Sequence, residues 1–453
     1  MFATVKQIFA PKNKDIRKRI LFTLAVLFVF KLGTAIVIPG VNVAQINNLG
    51  FFELLDVMGG GALSNVSIFA LGVSPYITAS IIIQLLEMDI VPYLAELSKQ
   101  GGTGRAKLNQ ITRIVGIVLA FVQGYMFSFS YIKGHNIMEY MLFSLVLTAG
   151  TCFVLWLADQ ITSKGVGNGT SIIIMAGIVS SMPNMFKNAW TSFTGNSGNF
   201  GIALFVAYVL VYVALIIGII FIETAERRIP IQYSNKTTGS FSNQNYIPFK
   251  LNSAGVMPVI FASALITIPG VVAGFINKEG FTNFVNKWLN MSSGTGFVLY
   301  IVFIFAFSYF YTFLQIKPKE MAENLNKNGG YIPGIRPGNE TINYVNKVLK
   351  NLTVFGALGL AVLAALPILF GIVTKLGGNI TLGGTGILIV IGVCLETYKQ
   401  IESQLVSHTY KKGRRRSRWK VLFLLPHLLQ VRVLNLICLW KNMVLHIFLQ
   451  VIC

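Results

Sequence analysis

The sequence predicts an all-α polytopic membrane protein. Hydrophobic residues make up 54% of its 453 residues and charged residues only 12%, about half of what soluble domains usually carry. Apolar stretches of nearly 20 residues recur along the chain, and a helix of that length can cross a bilayer. Length alone, which would suggest several soluble domains, is therefore a poor guide to its organisation.

Apolar windows predict about ten membrane-spanning helices. They lie near Ile20–Ile38, Val73–Leu86, Ile114–Tyr131, Met141–Leu157, Thr170–Met182, Ile202–Ile222, Val256–Phe275, Phe297–Leu314, Leu352–Ile372 and Leu382–Glu396. The basic N-terminal segment leads into a long first span with no small-residue cleavage site after it, so we expect no cleaved signal peptide.

Basic residues concentrate in alternate loops, which explains most of the net charge of +21 better than nucleic-acid binding does. The positive-inside rule then places both termini and the long loops in the cytoplasm. Two loops on that side are unusually long, Glu223–Ser253 and Gln315–Asn351. They are either solvated linkers or a docking surface for a soluble partner, and their length and charge favour docking.

No catalytic constellation is found in the sequence. It contains no phosphate-binding loop and no HExxH motif. The four cysteines lack the spacing of a metal site or a disulfide framework. We therefore expect no enzyme activity, no cofactor and no metal, and energy for any transport must come from a partner.

The segment Phe51–Leu86 is apolar but broken by three consecutive glycines, Gly59 to Gly61. It is too short and too interrupted for two membrane spans, and no Lys or Arg lies between Pro39 and Gly72. Irregular backbone inside a membrane is tolerated only where protein buries it or where it lines a cavity. The pattern predicts a re-entrant segment folded into a helix bundle.

Three motifs resemble the SecY family, the central subunits of bacterial protein-conducting channels. They are SIFALGVSPYITASIIIQLL at Ser67–Leu86, LADQITSKGVGNGTSIII at Leu157–Ile174, and GYIPGIRPG at Gly330–Gly338. They occur in the family's order, and the resemblance extends from about Met1 to Val406. It implies a channel that passes unfolded secretory proteins across the cytoplasmic membrane and releases membrane-protein segments sideways.

The resemblance also implies a clamshell of two inverted, pseudo-symmetric halves, a known architecture of membrane conduits. The N-terminal half would comprise residues 1–182 with spans one to five. The C-terminal half would comprise residues 183–406 with spans six to ten. Residue identity alone shows no internal repeat.

The resemblance assigns a pore ring of aliphatic side chains, which dewets when empty and deforms around a passing peptide. The matching positions are Val73, Ile77, Thr170, Ile174, Ile260 and Ile389. Val73 and Ile77, like Thr170 and Ile174, are four residues apart and so share a helix face. Ordinary helix packing would explain such pairs outside this motif context. Thr170 departs from the family's usual aliphatic residue.

By the same resemblance, the broken segment becomes a plug at about residues 51–66 that closes the ring from the external side. Its members are Leu54, Met58, Gly59, Gly60, Gly61, Leu63 and Asn65. Glycines permit both a tight turn and a later displacement. A static re-entrant loop is the alternative.

A lateral gate is implied between the second and third spans and the seventh and eighth. Thr78 and Ile268 occupy facing positions, and Gln84, Gln123 and Asn252 are polar residues in or beside the gate helices. Polar side chains between membrane helices stabilise an interface by about 0.6–2 kcal/mol each, which suits a gate that must reopen. Purely structural polar contacts are the alternative.

Arg336 matches a position that the family uses to engage its motor, and Gly334 and Pro337 shape the tight turn that carries it. Arg227 and Arg228 lie near the start of the other long loop. Arginine suits acidic or phosphate-rich surfaces, here the SecA motor ATPase or the ribosome. The resemblance further implies the small membrane subunits SecE and SecG, signal peptides, unfolded preproteins and membrane lipid as partners, with no role for DNA.

The principal rival is a secondary transporter with inverted repeats, which needs coordinating residues near the midplane. Lys31 is the clearest charged candidate for such a site. Two weaker alternatives are an intramembrane hydrolase, for which no paired nucleophile or carboxylate dyad is found, and a structural scaffold, which needs no displaceable plug.

The segment 407–453 differs in composition from the rest of the chain. It contains no Asp or Glu and is rich in Lys and Arg. We expect a frameshifted terminus; a basic amphipathic helix on the membrane surface is the alternative. No function is assigned to it.

Overall fold

A computed structural model describes residues 14–38, 56, 59–87, 90–131, 137–233, 245–276, 279–289, 293–374 and 378–413. These residues are mostly helical. The helices are α1 (Lys14–Ala35), α2 (Ser74–Glu87), α3 (Pro92–Lys99), α4 (Gly102–Tyr131), α5 (Ile137–Lys164), α6 (Gly169–Thr224), α7 (Met257–Ile276), α8 (Glu279–Trp288), α9 (Gly294–Gln315), α10 (Pro318–Lys327), α11 (Asn339–Thr374) and α12 (Gly378–Gly413). The strands are β1 (Glu226–Tyr233), β2 (Asn245–Lys250) and β3 (Gly330–Tyr331).

Six stretches of helix within the described residues are long and apolar enough to cross a membrane. They are Gly102–Ser128, Ile137–Lys164, Gly169–Thr194, Gly201–Thr224, Gly294–Lys327 and Asn339–Phe370. The pair formed by α2 and α3, bent by 93°, would add a seventh span. Helix α1 begins with five charged residues among its first six, and α7 contains only a shorter apolar helix, Met257–Gly270. The count of ten spans stays a prediction.

Helix α6 folds back on itself. A straight helix would hold Trp190 and Phe205 about 22 Å apart, yet their ring centroids are 5.0 Å apart. Met185 Sδ likewise accepts a hydrogen bond from Tyr212 Oη at 3.7 Å. The element is therefore two packed arms, which agree with predicted spans five and six. The first arm continues past Pro183, beyond the predicted end of span five at Met182, because apolar residues recur on it as far as Phe193.

The chain divides into two compact units. The first consists of the described residues within Met1–Phe30, Trp156–Ile173 and Glu396–Cys453. The second consists of those within Lys31–Leu155 and Ile174–Leu395. Residues 414–453, most of the atypical C-terminal segment, lie outside the described residues, whereas residues 407–413 continue α12.

The first unit is held together by close backbone contacts around the second motif. Thr23 Oγ1 accepts a hydrogen bond from the Val166 amide at 3.2 Å. Gly169 lies so close to the backbone oxygen of Ala158 that a Cβ would overlap it. The glycines of this motif are therefore required by packing as well as by the turn.

The second unit contains an antiparallel sheet with strand order β2-β1-β3. Ile229 is paired with Ile247, and Gln232 is paired with Tyr331. The two long loops of the sequence analysis are thereby joined, because β1 and β2 lie in the first loop and β3 lies in the second.

Candidate functional site

The glycine turn of the predicted plug is closed by a carboxylate. Asp56 Oδ1 accepts hydrogen bonds from the amides of Leu63 at 2.9 Å and Ser64 at 2.8 Å. The backbone oxygen of Asp56 accepts from the Gly61 amide at 2.9 Å. Gly60 and Gly61 have φ angles of +75° and +81°, a region in which side chains other than glycine are strained. Partial burial raises the pKa of Asp56, although hydrogen bonds from Ser64 and Leu63 oppose the shift.

Two contacts hold this turn in place. Lys31 Nζ, on α1, donates a hydrogen bond to the backbone oxygen of Gly60 at 3.3 Å. A Cβ on Gly60 would lie 3.1 Å from the Cα and 3.2 Å from the oxygen of Gly177 on α6. The turn therefore packs directly against the backbone of α6.

The chain after the turn is packed into the second unit. Ile38 and Ile68 donate backbone hydrogen bonds to Val66 and Ile36, both at 3.1 Å. An apolar cluster surrounds this short bridge; its members are Ile38, Leu63, Val66, Ala70, Leu71, Ala120, Phe127, Phe143 and Leu147. Residues 62–73 are thus largely buried between α4 and α5, although none of them belongs to a helix.

The predicted plug residues differ in their environments. Gly59, Gly60 and Leu63 are buried, Gly61 is half-buried and Asn65 is exposed. Leu54 and Met58 lie outside the described residues. Asp56 and Lys31, which hold the turn, were not among the predicted plug residues. Asp56 could have been suspected from the sequence, since a carboxylate shortly before a glycine turn is a ready acceptor for its free amides.

Five of the six predicted ring residues are buried in the second unit: Val73, Ile77, Ile174, Ile260 and Ile389 are each 4–8% exposed. Thr170 belongs to the first unit and is only partly buried. Its hydroxyl donates a hydrogen bond to Asn168 Oδ1 at 2.7 Å. That oxygen also accepts from the Thr170 amide at 3.2 Å and so caps the start of α6.

Packing between helices places Ile389 near two other ring residues. Gly386 and Gly392 lie three residues to either side of Ile389 and so on the same face of α12. A Cβ on Gly386 would lie 2.8 Å from Ile178 Cγ2, and a Cβ on Gly392 would overlap Val256. Ile178 is one turn after Ile174, and Val256 is one turn before Ile260. The α12 face that carries Ile389 therefore packs against α6 and α7 at the level of their ring residues.

The glycine turn at 59–61 lies beside the same part of α6. Gly177, which Gly60 approaches, is three residues after Ile174 and shares its helix face. The structure thus brings the glycine turn next to the helix turn that carries a predicted ring residue.

A hydrogen bond joins α2 to α9. Tyr311 Oη on α9 donates to Gln84 Oε1 on α2, and Gln84 Nε2 donates to Ser80 Oγ at 3.0 Å. The Tyr311 ring packs edge-on against Phe261 of α7, with centroids 5.0 Å apart. Sequence reasoning selected Gln84 and missed Tyr311. The available signal was a tyrosine inside an apolar helix, because a buried phenol usually needs a partner.

The other predicted gate residues make different contacts. Thr78 Oγ1 donates to the Ser74 oxygen of its own helix at 3.2 Å. Asn252 Nδ2 donates to Glu223 Oε1 at 2.7 Å and to the Gly255 oxygen at 2.8 Å. Gln123 is half-buried, and Ile268 is 38% exposed. The described geometry thus places only the Gln84 contact directly between two of the gate helices.

The long loops share one apolar core. Its members are Ile229, Phe249, Ile332, Val345, Val348 and Leu349, with Ile247, Phe313, Ile316, Met321, Ile335, Tyr344 and Leu352 packed around them. Residues from β1, β2, the segment after β3 and α11 all contribute. The described parts of the two loops therefore form one folded element rather than two solvated linkers.

Three predicted docking arginines are exposed on this element. Arg228 binds Glu226 Oε1 at 2.7 Å and stacks 4.7 Å above the Tyr246 ring. The hydrogen bond to Glu226 raises the pKa of Arg228. Arg336 lies in a turn between Gly334 and Gly338, with φ angles of +82° and +108°, and its backbone oxygen accepts from Thr341 Oγ1 at 2.9 Å. The turn fixes the Arg336 backbone and leaves its side chain accessible.

Comparisons with known proteins agree with this geometry. The model of the SecY family, described as "SecY", matches residues 67–398. The protein translocase subunit SecY of Staphylococcus carnosus is 48% identical over 427 residues, which are 91% of this chain and 99% of that protein. The subunit of the same name from Staphylococcus aureus is 48% identical over 428 residues with the same coverage.

Solved structures show a similar fold. One is described as the structure of a protein-conducting channel, with a TM-score of 0.62 and 18% identity over 86% of this chain and 93% of that one. A second has the same TM-score, identity and coverage. Its description states that the plug domain of SecY stabilises the closed state of the translocation channel and maintains a membrane seal. A third is Sec61 in a canine ribosome-channel complex, with a TM-score of 0.61, 18% identity and the same coverage.

Proposed function

This chain belongs to the SecY family, and from that premise we propose that it is the channel-forming subunit of a protein translocase. It would pass unfolded secretory proteins across a membrane and release membrane-protein segments sideways. One observation carries the proposal. The glycine turn at 59–61 is buried against α6 beside the turn of helix that carries Ile174, which is where a plug must lie to close an aliphatic constriction.

The aliphatic ring supplies a seal that needs no ligand. Ile389 lies on a helix that packs against the helices of Ile174 and Ile260, and none of the three side chains offers a polar partner to an ion. A narrow apolar constriction excludes water when empty and adapts to any side chain that passes. Thr170, the sixth residue assigned by resemblance, carries a hydroxyl that binds Asn168.

The Gln84–Tyr311 hydrogen bond fits a lateral gate. It joins two helices that the family separates when a signal peptide enters, and it is a single contact between neutral groups. Such contacts inside membranes contribute about 0.6–2 kcal/mol. Burial of the apolar surface of a signal peptide between α2 and α9 would offset the free energy of the broken hydrogen bond.

The folded loop element fits a soluble partner. Arg227, Arg228 and Arg336 are exposed on one compact element built from both loops, and we infer that it receives the SecA motor ATPase or the ribosome. Two channels of similar fold, Sec61 from dog and the Ssh1 complex from yeast, have been solved in complexes with the ribosome. The proposed assembly also contains SecE and SecG, in a bacterial cytoplasmic membrane with both chain termini in the cytoplasm. The clamshell halves at 1–182 and 183–406 belong to the same proposal.

The transporter alternative is less well supported. Its clearest candidate for a ligand site, Lys31, donates a hydrogen bond to Gly60. Within the described ranges, no group of three or more His, Cys, Asp or Glu side chains is placed to hold a metal ion. The charged group near the bundle therefore holds the re-entrant turn.

The test is preprotein import into proteoliposomes that contain the chain with SecE, SecG and SecA. The expected result is ATP-dependent protection of an unfolded preprotein from added protease. A preprotein without its signal sequence serves as the matched control and should stay digestible. If the intact preprotein is not protected and a small solute is taken up, the result would favour the secondary-transporter hypothesis over the protein channel.

A further inference from the structure

Helix α8 exposes an aromatic face. Phe281, Phe284 and Trp288 are 36%, 54% and 48% exposed, and their spacing places them within about 60° of one another around the helix axis. Val285, at the other edge of the same apolar arc, is fully buried. Asn283 lies on the opposite side of the helix, and Lys287 flanks the aromatic face. The helix thus packs on the protein along one edge and presents its aromatic side chains outward.

The topology fixes where this helix lies. Strand β2 leads into α7, and α9 leads back through α10 to β3, which pairs in the same sheet. Helices α7 and α9 therefore run in opposite directions, and α8 joins their ends far from the sheet. The 20 residues of α7 extend about 30 Å, which equals the thickness of a bilayer's hydrocarbon core.

Short connections keep α8 at that level. Only residues 277 and 278 separate α7 from α8, so the two helices are within about 11 Å of each other. At the other end, Thr295 Oγ1 of α9 donates to the Trp288 oxygen at 2.8 Å. Val298 and Val302, one to two turns further along α9, are 59% and 53% exposed. Exposed apolar side chains thus lie on α9 within two turns of its contact with α8.

We propose that α8 is an interfacial anchor whose aromatic face, Phe281, Phe284 and Trp288, inserts between phospholipids at the headgroup boundary of the leaflet opposite the loop sheet. Tryptophan and other aromatic side chains prefer this region of a bilayer, and an amphipathic helix that lies in the membrane plane buries its apolar face there. The anchor fixes the end of α7, a predicted gate helix. The inference goes beyond the channel function, because it requires only that α7 and α9 cross a bilayer.

The net charge of α8 indicates whether its membrane insertion depends on anionic lipid. One acidic residue, Glu279, and one basic residue, Lys287, nearly cancel. We therefore expect anchoring by apolar insertion, with little dependence on the fraction of anionic lipid.

Tryptophan quenching by brominated lipids tests the depth of the helix. The full chain is reconstituted with Trp156, Trp190, Trp419 and Trp440 replaced by Phe, so that only Trp288 remains. Lipids brominated near the carbonyl end of the acyl chain should quench Trp288 at least about twofold more than lipids brominated near the terminal methyl. Absence of quenching by either lipid, through exposure to water or coverage by a partner protein, would overturn the proposal.

A pair of cysteine variants tests the same face without altering any tryptophan. Asn283 and Phe284 are both exposed in the chain itself, so protein structure alone predicts equal labelling by a water-soluble maleimide. In a background with the native cysteines replaced by Ser, Asn283→Cys in vesicles should react about tenfold faster than Phe284→Cys. Equal rates would contradict lipid insertion, and the ratio should not change when anionic lipid is added.

Discussion

Lys31 Nζ lies 3.3 Å from the backbone oxygen of Gly60 and donates a hydrogen bond to it. The contact connects the first helix to a glycine turn that also packs against Gly177 of α6. The re-entrant turn is therefore held from two sides, by a charge-assisted hydrogen bond and by close backbone packing. Both contacts are small enough to break when the turn moves.

Replacement of Lys31 by Met should loosen the plug. Hydrogen bonds to charged groups contribute about 1.5–3 kcal/mol, and the exposure of Lys31 reduces this to about 1 kcal/mol. The open fraction should therefore rise about fivefold, measured as ion leak through reconstituted channels. Lys31→Arg, which keeps a cationic donor, is the control and should leak like the native chain. Equal leak in Lys31→Met and the native chain would show that the hydrogen bond from Lys31 to Gly60 does not hold the turn closed.

The ion leak should decrease as the pH is lowered. Burial raises the pKa of Asp56 above its ordinary 3.8 in the closed turn, and a displaced turn exposed to water would return it toward that value. The closed state thus binds more protons, so protonation favours closure. The effect should develop as the pH falls through the raised pKa and level off below about pH 4.

Asp56→Asn separates this titration from that of other groups. It keeps an oxygen that can accept from the Leu63 and Ser64 amides, but it has no carboxyl to protonate. Its leak should be independent of pH over the same interval, as followed by conductance from about pH 7 to about pH 4. If the leak depends on pH equally in both proteins, a group other than Asp56 causes the pH dependence.

Tyr311→Phe should make the lateral gate easier to open. The substitution removes the hydroxyl that binds Gln84 and keeps the ring that packs on Phe261. Loss of about 0.6–2 kcal/mol would shift the gate equilibrium about threefold to thirtyfold. The rate of import of a preprotein with a weakened signal sequence should rise accordingly.

Tyr309→Phe is the matched control for the gate. Tyr309 is on the same helix, and its ring stacks on Phe313 with centroids 6.2 Å apart. Its replacement should leave import of the weakened preprotein unchanged. Equal gains in the two variants would mean that the Gln84 contact does not hold the gate.

Arg336→Ala should weaken the coupling to the motor without disturbing the plug. The side chain is exposed, and its turn is held by backbone contacts and by Thr341. Loss of a central interface arginine costs about 1–2 kcal/mol, so SecA-driven import should fall about fivefold to thirtyfold at limiting SecA. Lys319→Ala, an exposed basic residue of the same loop, should retain import. A similar loss in both would indicate a general charge effect.

Local patterns predict much of this architecture. Several of the apolar windows coincide with long apolar helices, and the three glycines at 59–61 mark a turn. The turn at 59–61 depends on φ angles that only glycine adopts easily, and this requirement is visible in the sequence. The buried ring residues were assigned by resemblance, since isoleucine in a membrane helix has no distinguishing local pattern.

Contacts between distant residues were not predictable in this way. Strand β3 has only two residues, and its pairing with β1 joins positions about a hundred residues apart. The Gln84–Tyr311 contact spans 227 residues. The first arm of α6 continues through Pro183 because the apolar residues that follow pack against the second arm, a tertiary effect that overrides the local tendency of proline to end a helix.

Single-channel conductance tests the central claim most directly. The full chain and a variant that lacks Leu54–Asn65 are compared in planar bilayers with the same small subunits. A protein conduit sealed by this segment predicts quiet membranes for the full chain and frequent, long openings for the deletion. Equal silence in both, with the deletion variant shown to be folded, would contradict the plug and the channel account built on it.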